Sequence, residues 1–194
     1  MTHHATKRLT ILAALTAISF ALTIFPKIAI LPAASFLKID FSIVPVFLAL
    51  SWYGLSSAVL VLVVRTILKI VIFNEGVNTY IGMPVNLAVA IAFVLAIALI
   101  WKVQVLSKYP FLKQVLALIA AMALMTLVAI MMNIIWAIPL YSSMAHFDIA
   151  KFIGIKVYLW GMVLPFNLIE GIVWYVASYA TLSVLAPFKK VFQP

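Results

Sequence analysis

Covalent and metal chemistry needs particular side chains brought close together, and this sequence supplies few of them. It contains no cysteine, which removes disulfides, thiolate nucleophiles, iron–sulfur clusters and cysteine-ligated zinc. Its histidines are His3 and His4, near the start, and His146, in a polar stretch. The pair could ligate a metal, but a loose chain terminus is the simpler reading. Four carboxylates, Asp40, Glu75, Asp148 and Glu170, fall in four separate segments, so no two sit at acid–base spacing along the chain. The six glycines are scattered and form no phosphate-binding loop. No catalytic residue and no metal site is assigned, no resident cofactor is expected, and an ATP-driven engine within this chain is excluded.

What remains is a set of polar groups embedded in apolar sequence. Arg65 and Lys69 lie one helical turn apart in a long apolar run, and Glu170 lies within another. A charge inside a membrane is costly and asks for a functional reason or a partner. Lys69 could instead snorkel to the interface, whereas Arg65 lies deeper and would need a carboxylate such as Glu75 or Asp40. Asn86, Asn133 and Asn167 each sit inside or at one end of an apolar run. They either bond helix to helix or form a polar ring around a ligand. Tyr80, Trp136, Tyr141, Tyr158, Trp160 and Phe166 surround them in the sequence. Aromatic walls with a few amides suit a flat, neutral heteroaromatic ligand, while a membrane-interface belt explains at least half of these aromatics equally well.

The elements that must hold these groups follow from composition. Of 194 residues 68% are hydrophobic and 9% charged, and mean hydropathy is +1.28. Soluble domains are roughly 45–50% apolar and about 25% charged, and a globule of this size cannot hide the excess. A soluble enzyme or nucleic-acid-binding domain is excluded, and at about 20 residues per span the apolar content allows six spans but not eight. The net charge of +9 reads as basic flanks facing the cytoplasm and anionic lipid, not as a nucleic-acid site.

Along the chain, a first span covers residues 9–25 and is read as retained, because no clean cleavage pattern follows it. Residues 27–40 are too short and interrupted to cross and form a loop on or re-entering the membrane. Spans follow at 41–52, from Gly54 to about 73, 83–101, 111–138 and 158–185. Between them lie a tight turn at Gly54 and polar or basic loops at 74–82, 102–113 and 139–156. The expected fold is an all-α membrane protein, one domain over 1–194, with six transmembrane helices in a single bundle and no internal repeat. With both termini cytoplasmic, inner segments hold seven basic residues (Lys7, Arg8, Lys102, Lys108, Lys113, Lys189 and Lys190) and outer segments four (Lys27, Lys38, Lys151 and Lys156), as the positive-inside rule prefers. The three asparagines then share the outer half. Ala13, Ala17 and Ala21, four apart on the first helix, make a smooth face for close helix approach, either within the bundle or to a partner.

Several segments together resemble a known family. Phe36-Leu-Lys-Ile-Asp-Phe-Ser-Ile-Val-Pro45 is similar to the loop entering helix two in the substrate-binding S components of energy-coupling factor (ECF) transporters. Asn74-Glu-Gly-Val-Asn-Thr-Tyr-Ile-Gly-Met-Pro-Val-Asn86 resembles the loop before helix four in riboflavin-specific members from lactic-acid bacteria. Asn133 with Ile138-Pro-Leu-Tyr141, and Leu164-Pro-Phe-Asn167, resemble the ends of helices five and six, and the alanine face resembles the docking motif of helix one. The match runs over nearly the whole chain.

The resemblance implies a multi-pass cell-membrane protein that is not an enzyme and that binds riboflavin from outside. It implies a membrane scaffold subunit and two ATPase subunits as partners, with toppling of the loaded S component delivering substrate inward. Ligand contacts are implied for Lys38, Asp40, Asn74, Thr79, Tyr80, Asn86, Asn133, Tyr141, Asn167 and Glu170, partner docking for Ala13, Ala17 and Ala21, and a lid for residues 27–40. Two positions depart from the family pattern. Glu170 stands where many riboflavin members have lysine, and Arg65-Thr66 where many have Lys-Asn. These keep pantothenate, an anion that Arg65 could pair with, as an alternative substrate. A scaffold subunit without its own ligand and an intramembrane enzyme are the readings from other classes.

Overall fold

A computed structural model describes residues 3–34 and 36–188 of the chain. Helix α1 (His3–Ile24) already includes the polar residues before the apolar run. The side chains of His3 and His4, and Lys189 and Lys190 at the other end, lie outside the described residues. Residues 27–40 form the expected loop, tightened by a two-residue hairpin of β1 (Ile28–Ala29) and β2 (Lys38–Ile39). There follow α2 (Ile43–Tyr53), α3 (Leu55–Ile72) and α4 (Val77–Lys102). Gly54 makes the turn between α2 and α3 at φ 87°, a left-handed conformation open to glycine at little cost.

Two expected loops are partly helical. Residues 77–82 belong to α4, and Pro84 sits inside that helix. The second half of the bundle runs through α5 (Pro110–Met132), a π-helical turn (Asn133–Ala137) and α6 (Ile138–Met144), so Pro139 ends nothing and takes the first turn of α6. After the short α7 (Ile149–Phe152), a second π-helical segment (Val157–Val163) leads into α8 (Leu164–Leu185).

Among the described residues, five stretches are long and apolar enough to cross a membrane: Ala5–Ile24, Leu55–Ile72, Val77–Lys102, Pro110–Met144 and Val157–Phe188. The sixth expected span, α2, has 11 residues. At 1.5 Å per residue it is about 16 Å long, roughly half a bilayer core. Its shortness matters, because the chain it leaves free, residues 27–42, folds over one end of the bundle. Helices α1 and α3 run in the same direction, with short α2 returning the chain between them. Arg8 of α1 donates to Ser57 Oγ at the start of α3 (2.8 Å), and Lys27 after α1 meets Glu75 after α3 (3.4 Å). The bundle thus has a terminal end and a far end.

Packing follows the membrane pattern, in which surfaces are apolar and close approach needs small residues. Large side chains such as Val71, Ile135 and Val184 are exposed. At Gly171, where α8 meets α5, an added Cβ would lie 2.9 Å from Met122 Cγ and 3.0 Å from Met125 Sδ. On α1, Leu12, Leu15, Ser19 and Thr23 turn inward, while Ala13, Ala17 and Ala21 are all exposed. The alanine face is therefore not used for packing within the bundle.

Candidate ligand-binding site

At the far end the helices enclose a cavity of about 1000 Å³. Its walls come from the far ends of α1 and α3 with Phe73 and Glu75 beyond, from α4, from the α5–α6 and α8 stretches, from the covering loop between Lys27 and Asp40, and from the segment around α7. Eight of the ten sequence-predicted ligand residues line it: Lys38, Asp40, Thr79, Asn86, Asn133, Tyr141, Asn167 and Glu170. Asn74 and Tyr80 do not. Asn74 turns its Oδ1 to the Gly76 N–H (2.7 Å) and sets up the turn into α4. Tyr80 is about half exposed. Because the helix begins at Val77, Thr79, Gly82, Met83 and Asn86 share its cavity face, and Tyr80, one residue round from Thr79, faces away.

The π-helical turns shape the opposite wall. Ala129, Asn133, Ala137, Tyr141 and Ala145 all line the cavity, each four residues from the last. A regular helix repeats every 3.6 residues, so a four-residue spacing drifts round the axis and would soon leave one face. The wider π turn at Asn133–Ala137 takes up that drift. A second π segment, Val157–Val163, contains Tyr158 and precedes Asn167, and both residues reach the cavity. Asn133 and Tyr141 were anticipated; for Ala129, Ala137 and Ala145 the sequence signal was the unbroken four-residue repeat they share with them.

The amides are oriented before any ligand arrives. Asn133 donates to the Ala129 carbonyl (2.8 Å) and accepts from the Tyr158 hydroxyl (2.6 Å). Asn167 donates to the Val163 carbonyl (2.7 Å), which leaves its own carbonyl oxygen with no partner among the described residues. Asn86 is the reverse: its Oδ1 accepts from Arg65 Nη2 (2.7 Å), which leaves its NH2. Glu170, a buried residue of the cavity lining, accepts no hydrogen bond among the described residues. Of the aromatics expected around the site, Tyr141, Tyr158 and Phe166 line it, and Trp136 and Trp160 are outward, as an interface belt would be. Phe36, Phe73 and Phe147 also line the cavity and were not anticipated; Phe36 stacks on Tyr158 with ring centroids 6.3 Å apart.

The two buried cations part ways: Lys69 takes the buried, partnered one of its two readings, and Arg65 finds neither expected carboxylate. Lys69 does not snorkel; it is buried and donates to the Phe73 carbonyl (2.9 Å) and Glu75 Oε2 (3.0 Å). Glu75 holds both Lys69 and Lys27, and the Lys69 hydrogen bond keeps its carboxyl below the ordinary value of 4.5. Arg65 makes no ion pair with Glu75 or Asp40; besides Asn86 it donates to Ser42 Oγ (2.6 Å). The covering loop is tied down at its end: Trp174 Nε1 donates to the Asp40 carbonyl (2.9 Å) and Ser19 Oγ to the Ser42 carbonyl (2.7 Å).

An apolar bundle that keeps a polar, aromatic-walled cavity under a loop is built to bind a solute, and the chain belongs to the family of substrate-specific components of ECF transporters, whose model matches residues 7–181. Its relatives are more particular. It is 50% identical over 186 residues to the Riboflavin transporter RibU of Leuconostoc mesenteroides subsp. mesenteroides, covering 96% of this chain and 94% of that one. It is 41% identical to the Riboflavin transporter RibU of Streptococcus thermophilus, covering 96% and 84%. A solved S component of a bacterial ECF transporter superimposes with a TM-score of 0.77 at 29% identity, covering 95% of this chain and 98% of that one. The family is one of transporter subunits and not of enzymes, in agreement with the sequence reading.

Proposed function

We propose that this chain is the riboflavin-binding S component of an ECF vitamin importer. The observation that carries the reading is the cavity itself, together with the named relatives. Its volume of about 1000 Å³ is at the upper end of small-molecule sites. Riboflavin is neutral at physiological pH, with a flat ring whose polar edge offers both carbonyl oxygens and an N–H, and a flexible polyol. The free NH2 of Asn86 and the free oxygen of Asn167 match the two kinds of edge group, and Phe36, Tyr158 and Phe166 supply the aromatic walls. Lys38 and Asp40 on the loop, Thr79, Tyr141, Asn133 and Glu170 complete the contacts, and the loop at 27–40 serves as the lid. Asn74 and Tyr80 act at most indirectly from their outward positions.

The alternative of pantothenate rested on Arg65 as an anion partner. Arg65 is fully buried, does not line the cavity and has its terminal nitrogens engaged, so a carboxylate in the cavity does not reach it. A scaffold subunit with no ligand of its own has no use for a cavity of this kind.

In this reading the chain passes the membrane six times, with short α2 and the covering loop sharing one passage, both termini cytoplasmic and the cavity facing outward. The exposed face of Ala13, Ala17 and Ala21 docks on a membrane scaffold subunit that carries two ATPases. Ligand-free protein titrated with riboflavin should quench flavin fluorescence at submicromolar concentration, and protein purified from cells should show flavin absorbance. Absence of quenching, with heat released by pantothenate instead, would sink the substrate assignment.

A further inference from the structure

Arg65 on α3 is fully buried, yet lies behind the cavity wall and not in it. A guanidinium in the interior of a membrane bundle is costly unless its N–H groups are matched. Its two terminal nitrogens reach neutral oxygens on two different elements: Nη1 donates to Ser42 Oγ at 2.6 Å and Nη2 to Asn86 Oδ1 at 2.7 Å. Nε is left without a partner among the described residues. Neither Asp40 nor Glu170 forms an ion pair with it. Full satisfaction of the charge is therefore not what this arrangement achieves.

What it achieves is placement. The carbonyl oxygen of Asn86 is occupied by Arg65, so this cavity-lining amide can offer only its NH2 to a ligand. A charged donor also polarises the amide and strengthens the N–H bonds it makes on the other side. On the other branch, Ser42 accepts from Arg65 and donates to Asp40 Oδ1 (2.6 Å), and the Ser42 N–H donates to the same carboxylate oxygen (2.9 Å). Asp40 lines the cavity at the end of the covering loop. One rigid planar fork thus holds a ligand-facing amide and the root of the loop, a task that a lysine ammonium, a point charge without the fork, does not fulfil.

We infer that Arg65 is a positioning residue for ligand binding: from outside the cavity it fixes Asn86 as a hydrogen-bond donor and, through Ser42, sets the Asp40 end of the covering loop. The inference rests on reading the cavity as a riboflavin site. It is tested in the full-length protein with riboflavin titrations of wild type, Arg65→Met, Asn86→Ala and the double variant, and with amide hydrogen exchange on the ligand-free proteins. Arg65→Met is expected to weaken riboflavin binding at least tenfold in the wild-type background, and by a factor at least fivefold smaller when Asn86 is already alanine. Exchange of the Ser42 N–H should quicken at least tenfold in Arg65→Met and stay near the wild-type rate in Asn86→Ala. Equal factors in both backgrounds, or an unchanged Ser42 rate, would overturn the inference. If Arg65→Met does not fold, Arg65→Lys replaces it with the same expectations, and Ser42→Ala should reproduce the loop effect alone. A wild-type protein that ignores riboflavin strikes the functional reading instead; the Ser42 rate, read without ligand, still decides the positioning role.

Discussion

The two halves of the bundle are made from the same apolar helices and behave oppositely. From the base of the cavity to the terminal end, aromatic rings close the interior. Phe47 meets Trp101 and Tyr175 edge to face at 5.3 Å and 6.0 Å, and Phe93 meets Trp174 in the same way at 5.5 Å. Gln114 enters this half, but its oxygen accepts from both Trp101 Nε1 and Tyr175 Oη and is tied off. At the far end, helices widen into π turns, Gly76 precedes the first turn of α4, and some polar groups, the Asn86 NH2 and the Asn167 oxygen among them, are left facing space. Regular helices pack ridge to groove and leave no room. A cavity at the far end requires irregular backbone, and a membrane tolerates that only where it is walled in by protein. Irregularity therefore marks the functional half and regularity the sealed one.

The sharpest way to break this contrast lies outside both halves. Ala17→Leu should abolish uptake in cells while riboflavin binding to the isolated protein is unchanged; surviving uptake would remove the exposed alanine face of α1 from the transport cycle. Within the sealed half, Phe47→Ala should cost about 3 kcal/mol of stability, the low end for a buried phenylalanine, since in lipid mainly the packing part of the penalty remains. Unfolding in detergent should show a lowered midpoint, with ligand affinity changed far less than stability. In the open half the order reverses. Asn167→Ala should leave the unfolding midpoint near that of wild type and weaken riboflavin about tenfold, the worth of one hydrogen bond. Should both variants act on stability alone, the functional contrast between the halves disappears.

The smallest expected effect is at the rim. The Lys69 hydrogen bond lowers the Glu75 carboxyl from 4.5. A depressed carboxyl stabilises the folded state above its unfolded value, and that contribution is lost as pH falls from 4.5 through the lower folded value. Thermal midpoints of wild type and Glu75→Gln should differ slightly at pH 7, with wild type higher, and converge below that window. Because half of the Glu75 side chain is exposed, solvent screening keeps the difference small. A gap that persists at low pH would assign the effect to shape and not to charge.

Much of this molecule was legible in its residues because hydropathy is local. Each apolar run had to meet lipid or another run, and the turn at Gly54, the loop at 27–40 and the order of helices follow from that. Asn86, Asn133 and Asn167 stood out because an amide in hydrocarbon needs a reason, but helix bonding and cavity lining stayed open until the fold put all three in the lining. Asn74 and Tyr80 were drawn into the site by a motif read as loop; once Val77 starts a helix, the 100° step between neighbours turns Tyr80 outward. The π turns left only a faint trace in the four-residue repeat from Ala129 to Ala145.

The sequence by itself determined that this chain lives in a membrane, that its long helices come in this order, and that a few amides, aromatics and charges would be left for function. These are sums over short stretches of chain. Only the tertiary structure decided which of those groups meet. Trp174 anchors Asp40 across 134 positions, Asn133 finds Tyr158 across 25, and Arg65 passes over both expected carboxylates for Ser42 and Asn86. A hydrogen bond depends on distance and direction to a few tenths of an ångström, and those are fixed only when distant helices have packed.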